Sequence, residues 1–88
     1  MHESGMIEDL IAKIEAVARD NSARKVLAVE VSIGPLAGIS GDHLREHFLI
    51  ASRGTLAEGA EFRVRETPDP AARDPLGVFL ESVELETG

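Results

Sequence analysis

The chain has 88 residues, with nine Lys and Arg against sixteen Asp and Glu, no cysteine, and three Phe as its only large aromatics. A formal charge of −7 excludes the basic footprint that nucleic acid or an anionic membrane surface requires. The lack of cysteine excludes disulfides, thiolate zinc sites and cysteine nucleophiles. This length supports one small domain, residues 1–88, with a core of Leu, Ile, Val and Ala. No apolar run approaches the roughly 20 residues of a bilayer span, and no basic-then-apolar leader opens the chain, so the cytoplasm is the expected compartment.

The first element is an amphipathic helix. Ile7, Leu10, Ile11, Ile14, Val17 and Ala18 form one apolar stripe, and Glu8, Asp9, Lys13, Glu15 and Arg19 take the outer face. Ser4 is the expected N-cap, with Glu3 near the positive end of the helix dipole. Polar turn formers at Asp20-Asn21-Ser22 end the helix. Val26 to Ile33 alternate as a strand, with Leu27, Val29, Val31 and Ile33 expected on the core side and Val26, Ala28, Glu30 and Ser32 on the other.

Gly34-Pro35 stops that strand, and Ser40 is the expected N-cap of a second helix. Leu44, Phe48 and Ala51 face inward from it, Arg45, Glu46 and Arg53 face outward, and Gly54 ends it. A second strand spans Glu61 to Glu66, with Phe62 and Val64 inward. Thr67 to Pro75 carries three prolines and reads as an irregular loop. The last strand, Val78 to Leu85, changes phase midway: Val78 and Leu80 belong to one parity, Val83 and Leu85 to the other. A β-bulge near Glu81-Ser82 restores a single apolar face. The order α-β-α-β-β predicts a two-layer α+β domain with two helices on one face of a small three-stranded sheet.

The most specific chemistry lies at the start. In Met1-His2-Glu3, the α-amine, the His2 amide nitrogen and the His2 imidazole Nδ1 close two fused chelate rings, an all-nitrogen set that suits square-planar Ni(II) or Cu(II). The bulky second residue favours retention of Met1, so the amine is that of Met1. Taken alone, the tripeptide is weak evidence, and a solvated chain end is the simpler reading.

Several local phrases carry a resemblance. Met1-His2-Glu3, Ile33-Gly34-Pro35-Leu36-Ala37-Gly38, Gly54-Thr55-Leu56-Ala57-Glu58-Gly59-Ala60 and Ser82-Val83-Glu84-Leu85 stand in the order and near the spacing of the HypA/HybF nickel metallochaperones of hydrogenase and urease maturation, which the chain resembles. The resemblance implies a nickel site of Met1, His2 and Glu3. The Met1 amine and the His2 amide and imidazole would be ligands, and Glu3 would give its backbone amide, with its carboxylate in the outer shell. Amide ligation needs deprotonation, so affinity falls as pH drops. It also implies a maturation GTPase of the HypB type and a hydrogenase or urease apo-subunit as partners.

Members of that family carry a zinc-ribbon with two C-x-x-C pairs between the last two strands. Here the interval has shrunk to about Asp69 to Leu76, so the zinc domain expected near 69–76 is absent and no structural zinc is expected.

Other chemistry is weaker. His43 and His47 stand one helical turn apart, a spacing that can hold a metal; Asp42 is adjacent but no third ligand is evident, and surface positions are the simpler reading. Glu58 and Glu61 lack partners for acid–base catalysis. Gly34, Gly38 and Gly41 are not followed by the Lys-Ser/Thr of a phosphate loop. An enzyme is not expected. The expectation is a nickel-delivery protein acting as a monomer, with a homodimer as the other possibility. The alternative function is a metal-independent interaction or regulatory module on the same fold.

Overall fold

The computed structural model describes residues 3–66 and 76–87, and side chains from Gly5 onward within the first of these spans. The elements run α1 (Glu3–Asp20), β1 (Ala23–Ile33), α2 (Gly41–Ala51), β2 (Glu61–Glu66) and β3 (Val78–Thr87). This is the expected α+β order. The irregular loop expected at Thr67 to Pro75 lies outside the described residues.

The sheet order is β2-β1-β3, so β1 is shared by both neighbours. It pairs parallel with β2, the strand reached through α2, and antiparallel with β3. Parallel neighbours need such a crossover. Ile7, Leu10, Ile11, Ile14 and Ala18 of α1 and Leu44 and Phe48 of α2 are buried against Val26, Val29, Val31, Ile33 and Phe62. The Phe48 and Phe62 rings stack with centroids 4.3 Å apart and fasten α2 to β2.

Three expectations need correction. α1 begins at Glu3, so Ser4 lies inside the helix and is not its N-cap; the acidic residue at the helix start already suits the positive end of the dipole. α2 ends at Ala51, capped at Ser52, and Gly54 (φ 79°) serves the turn that follows. That turn is held by its own side chains: the Gly54 N–H donates to Glu58 Oε1 at 2.9 Å and Thr55 Oγ1 donates to the Ser52 carbonyl at 2.7 Å. Ser40 caps α2 as expected, accepting from the His43 N–H at 3.1 Å.

The third correction concerns β1. Regular alternation assigns Leu27 to the core and Val26 to the other face, yet Val26 is fully buried and Leu27 is 44 % exposed. Val26 pairs with Leu85 and Ala28 with Glu84, so Leu27 is an extra residue bulged out of the ladder. Alternation resumes one step later, with Val29, Val31 and Ile33 in the core. The bulge expected in β3 is present: Glu30 pairs with Ser82 and Val31 with Leu80, leaving Glu81 as the extra residue.

The second face of the sheet bears charge instead of a layer. Arg65 reaches Glu30 at 2.8 Å, and Arg63 bridges Glu61 and, at 3.2 Å, Glu84. Ser32, only 3 % exposed, donates its hydroxyl to Glu81. Long polar side chains thus cover the small Ala28 and Ser32 and satisfy their surroundings without a second sheet.

Two measurements test these assignments. Val26→Ala should cost about 1.5–3 kcal/mol in chemical unfolding, and Leu27→Ala about 0.5 kcal/mol or less; the reverse ranking would mean that the strand is unbulged. The Arg63 guanidinium, by hydrogen bond and then by charge, holds the Glu61 carboxyl below its ordinary value of 4.5, and the same contacts, Glu61 first and Glu84 second, raise Arg63. Because the folded value is the depressed one, this pair supports folding above the ordinary carboxylate range and loses that support as pH falls through the lowered value. Carboxyl NMR should find the Glu61 midpoint below 4.5 and back at the ordinary value in Arg63→Gln.

Candidate metal centre

Chain direction determines where α1 begins. α1 and β1 are joined by only Asn21 and Ser22, with Ser22 in the left-handed conformation (φ 53°) and the Asn21 side-chain amide donating to the Val17 carbonyl at 2.8 Å. The tight reversal lays α1 back along β1, so the helix start comes to the end of the sheet where β1 finishes. β2 finishes and β3 begins at that same end, with Glu66 and Val78 both paired to Ile33.

This end of the molecule collects several elements. The Gly34 N–H donates to the Gly77 carbonyl at 2.8 Å, tying the exit of β1 to the entrance of β3. A cleft of about 300 Å³ separates Met6, Asp9, Leu10 and Lys13 of α1 from Leu76, Val78 and Leu80. On the far side, Ser40 and Asp42 at the start of α2 lie beside Val64 and Glu66. Periodicity assigned Asp9 and Lys13 to a solvated face. The structure sets them at the mouth of a cleft that exists only because β3 returns beside α1, and no local pattern signals such a long-range contact.

Of the expected nickel ligands, Met1 and His2 lie outside the described residues, and Glu3 is the first residue of α1. The first four N–H groups of any helix have no partner within it. The Glu3 amide is one of these, so it can lose its proton to a metal without breaking a helical hydrogen bond.

The other candidates sort plainly. His43 and His47 are brought together on α2, their rings stacked with centroids 4.6 Å apart and planes 17° apart. Asp42 is instead bonded to Arg45 at 3.2 Å. Among the described residues, no three His, Asp or Glu side chains converge as a metal cluster. Glu58 is occupied by the Gly54 amide and Glu61 by Arg63, both structural contacts. No helix among the described residues is long and apolar enough to cross a membrane.

Comparison with known proteins adds the remaining findings. Residues 1–72 match the family model described as "Hydrogenase/urease nickel incorporation, metallochaperone, hypA". A "Hydrogenase maturation factor HypA" of Rhodobacter capsulatus is 38 % identical over 86 residues, covering 98 % of this chain and 74 % of the relative. Proteins of the same name from Chlorobium limicola and Aquifex aeolicus are 42 % identical over 66 residues and 43 % over 61, covering 75 % and 69 % of this chain. The chain spans only 57 % and 53 % of those two relatives. Among solved structures, the solution structure of the Ni metallochaperone HypA from Helicobacter pylori superposes with a TM-score of 0.85 over the whole of both chains at 19 % identity. That likeness bears on the fold.

Proposed function

Since this chain belongs to the HypA family, we propose that it is a nickel-binding accessory protein that holds Ni(II) at Met1, His2 and Glu3 and delivers it during maturation of [NiFe]-hydrogenase or urease. The observation that carries this reading is that the family match begins at residue 1 and so includes the chelating tripeptide. The Met1 amine, the His2 amide nitrogen and the His2 imidazole supply nitrogen donors in one plane, and the unpartnered Glu3 amide is the natural fourth. Each deprotonated amide removes charge from the ion, which lessens its repulsion from the positive end of α1.

The work is coordination and ligand exchange, with no covalent chemistry. A site made of contiguous residues can exchange its ligands with a recipient one at a time. The recipients in this reading are a GTPase of the HypB type and the apo-subunit of the client enzyme, met in the cytoplasm by a monomer. The interval between β2 and β3, residues 67–77, contains no cysteine. We read the chain as a single nickel-binding domain, residues 1–88, in which a short connection replaces the zinc-ribbon and no structural zinc is held.

The test is a Ni(II) titration of protein with an authentic Met1 beside His2→Ala and a variant carrying one extra N-terminal residue. Binding near one-to-one is expected in the first and its loss in both others, because the extension turns the amine into an amide. Affinity should fall on acidification as protons compete for the amide nitrogens. Equal binding in all three proteins would overturn the site and leave a metal-independent interaction module on this fold. Glu3→Gln should slow transfer to an apo-enzyme while leaving the unfolding midpoint within about 0.5 kcal/mol; an unfolded variant would assign Glu3 to the fold instead.

A further inference from the structure

Residues 43–47 read His-Leu-Arg-Glu-His, so two imidazoles stand at i and i+4 with a glutamate directly before the second. An H-x-x-E-H run on a helix places both histidines on one side, within reach of a single ion. In α2 that arrangement exists at the level of side chains. The rings lie face to face, centroids 4.6 Å apart, on a helix whose adjoining apolar face is anchored by Leu44 and Phe48. Two imidazole nitrogens bound cis to one ion lie about 3 Å apart, given metal–nitrogen bonds of about 2.0–2.1 Å. Turning the two side chains about their torsions would bring one nitrogen of each ring to that spacing, because the helix already fixes the backbone spacing.

The surrounding charge supports a cation. Arg45, the residue between them in sequence, projects from the other side of the helix. It donates to the Phe62 carbonyl at 3.3 Å and to Asp42 at 3.2 Å, and is thereby drawn toward β2. Glu46 is exposed and flanks both rings along the helix surface. His43 is exposed and His47 half-buried, so an ion meets one open flank and one supported ligand.

We propose that His43 and His47 form a second metal site, a two-imidazole chelate for a borderline divalent ion such as Zn(II), Ni(II) or Cu(II), with water completing the coordination. It is separate from the terminus in sequence and in chemistry. The terminal chelate gains its selectivity from deprotonated amides, whereas this site uses neutral imidazoles and needs α2 to be folded. With no third side chain converging among the described residues, it has open positions and exchanges its ion readily. It is a point where an ion loads and leaves.

The test uses the full chain carrying His2→Ala, titrated with Zn(II) alone, so that its outcome is independent of the terminal site. One weak equivalent is expected, with the NMR signals of the His43 and His47 rings shifting together. His43→Gln or His47→Gln should each weaken it by roughly 10- to 100-fold, no less than the loss of an outer-shell partner costs at other metal sites. Zn(II) should raise the melting temperature of His2→Ala and leave unchanged that of His2→Ala carrying both His43→Gln and His47→Gln. Unchanged affinity on removing either histidine, or a response from only one ring, would overturn the chelate. Should His47→Gln disturb the helix by circular dichroism, the exposed His43→Gln decides.

Discussion

Every sheet contact in this protein passes through β1, and the fold depends on keeping that one strand in phase with two neighbours. On the helix-covered side, Val26, Val29, Val31 and Ile33 meet Leu85, Val83, Leu80 and Val78 of β3. The spacing is uneven in both strands: two residues separate Val26 from Val29, and two separate Leu80 from Val83. Between Val26 and Ile33 each strand holds one extra residue, Leu27 in β1 and Glu81 in β3, at different heights along the ladder. Over the span from Val26 to Ile33 the two bulges cancel, and the register closes. With one bulge alone, every pair beyond it would turn polar side chains toward the helices, because a one-residue slip inverts a strand's faces.

The same constraint organises the end of the molecule where α1 begins. A shared central strand, parallel to β2 and antiparallel to β3, brings the exit of β2 and the entrance of β3 to one end. The two-residue link between α1 and β1 sends the start of α1 there as well. α1 therefore begins at that end, its next turns fixed by Ile7, Leu10 and Ile11 in the core.

The sequence made some of this legible and hid the rest for identifiable reasons. The α1 stripe, the α2 cap at Ser40 and the β2 alternation are local patterns, and each appears where periodicity put it. The β3 bulge was legible because it joins two apolar pairs of opposite parity, leaving no other way to keep both inside. The β1 bulge was hidden because Leu27 is itself apolar: Val26 and Leu27 both suit a core, and only pairing with β3 decides between them. The cleft between α1 and β3 was hidden because it joins residues about 70 positions apart. The family phrases were legible, and the family match agrees with them; the nickel role of Met1-His2-Glu3 was read from donor chemistry, which does not depend on tertiary structure, and stands as a proposal.

That independence has a thermodynamic consequence. A chelate made of contiguous residues survives in an unfolded chain, so nickel held as proposed at Met1, His2 and Glu3 would have similar affinity for folded and unfolded protein and would add little to stability. A carrier benefits from this, because the fold neither needs its cargo nor resists giving it up. A structural zinc site is the opposite case, where binding and folding free energy are one quantity. The histidine pair on α2 falls between them: its two ligands share a side only while the helix is formed, so an ion bound there favours the folded state by the affinity it gains from that geometry. On these two proposals the chain would hold an ion in two ways, one decoupled from folding and one linked to it, because the contiguous ligands are set by covalent bonds and the histidine pair by the turn of a helix.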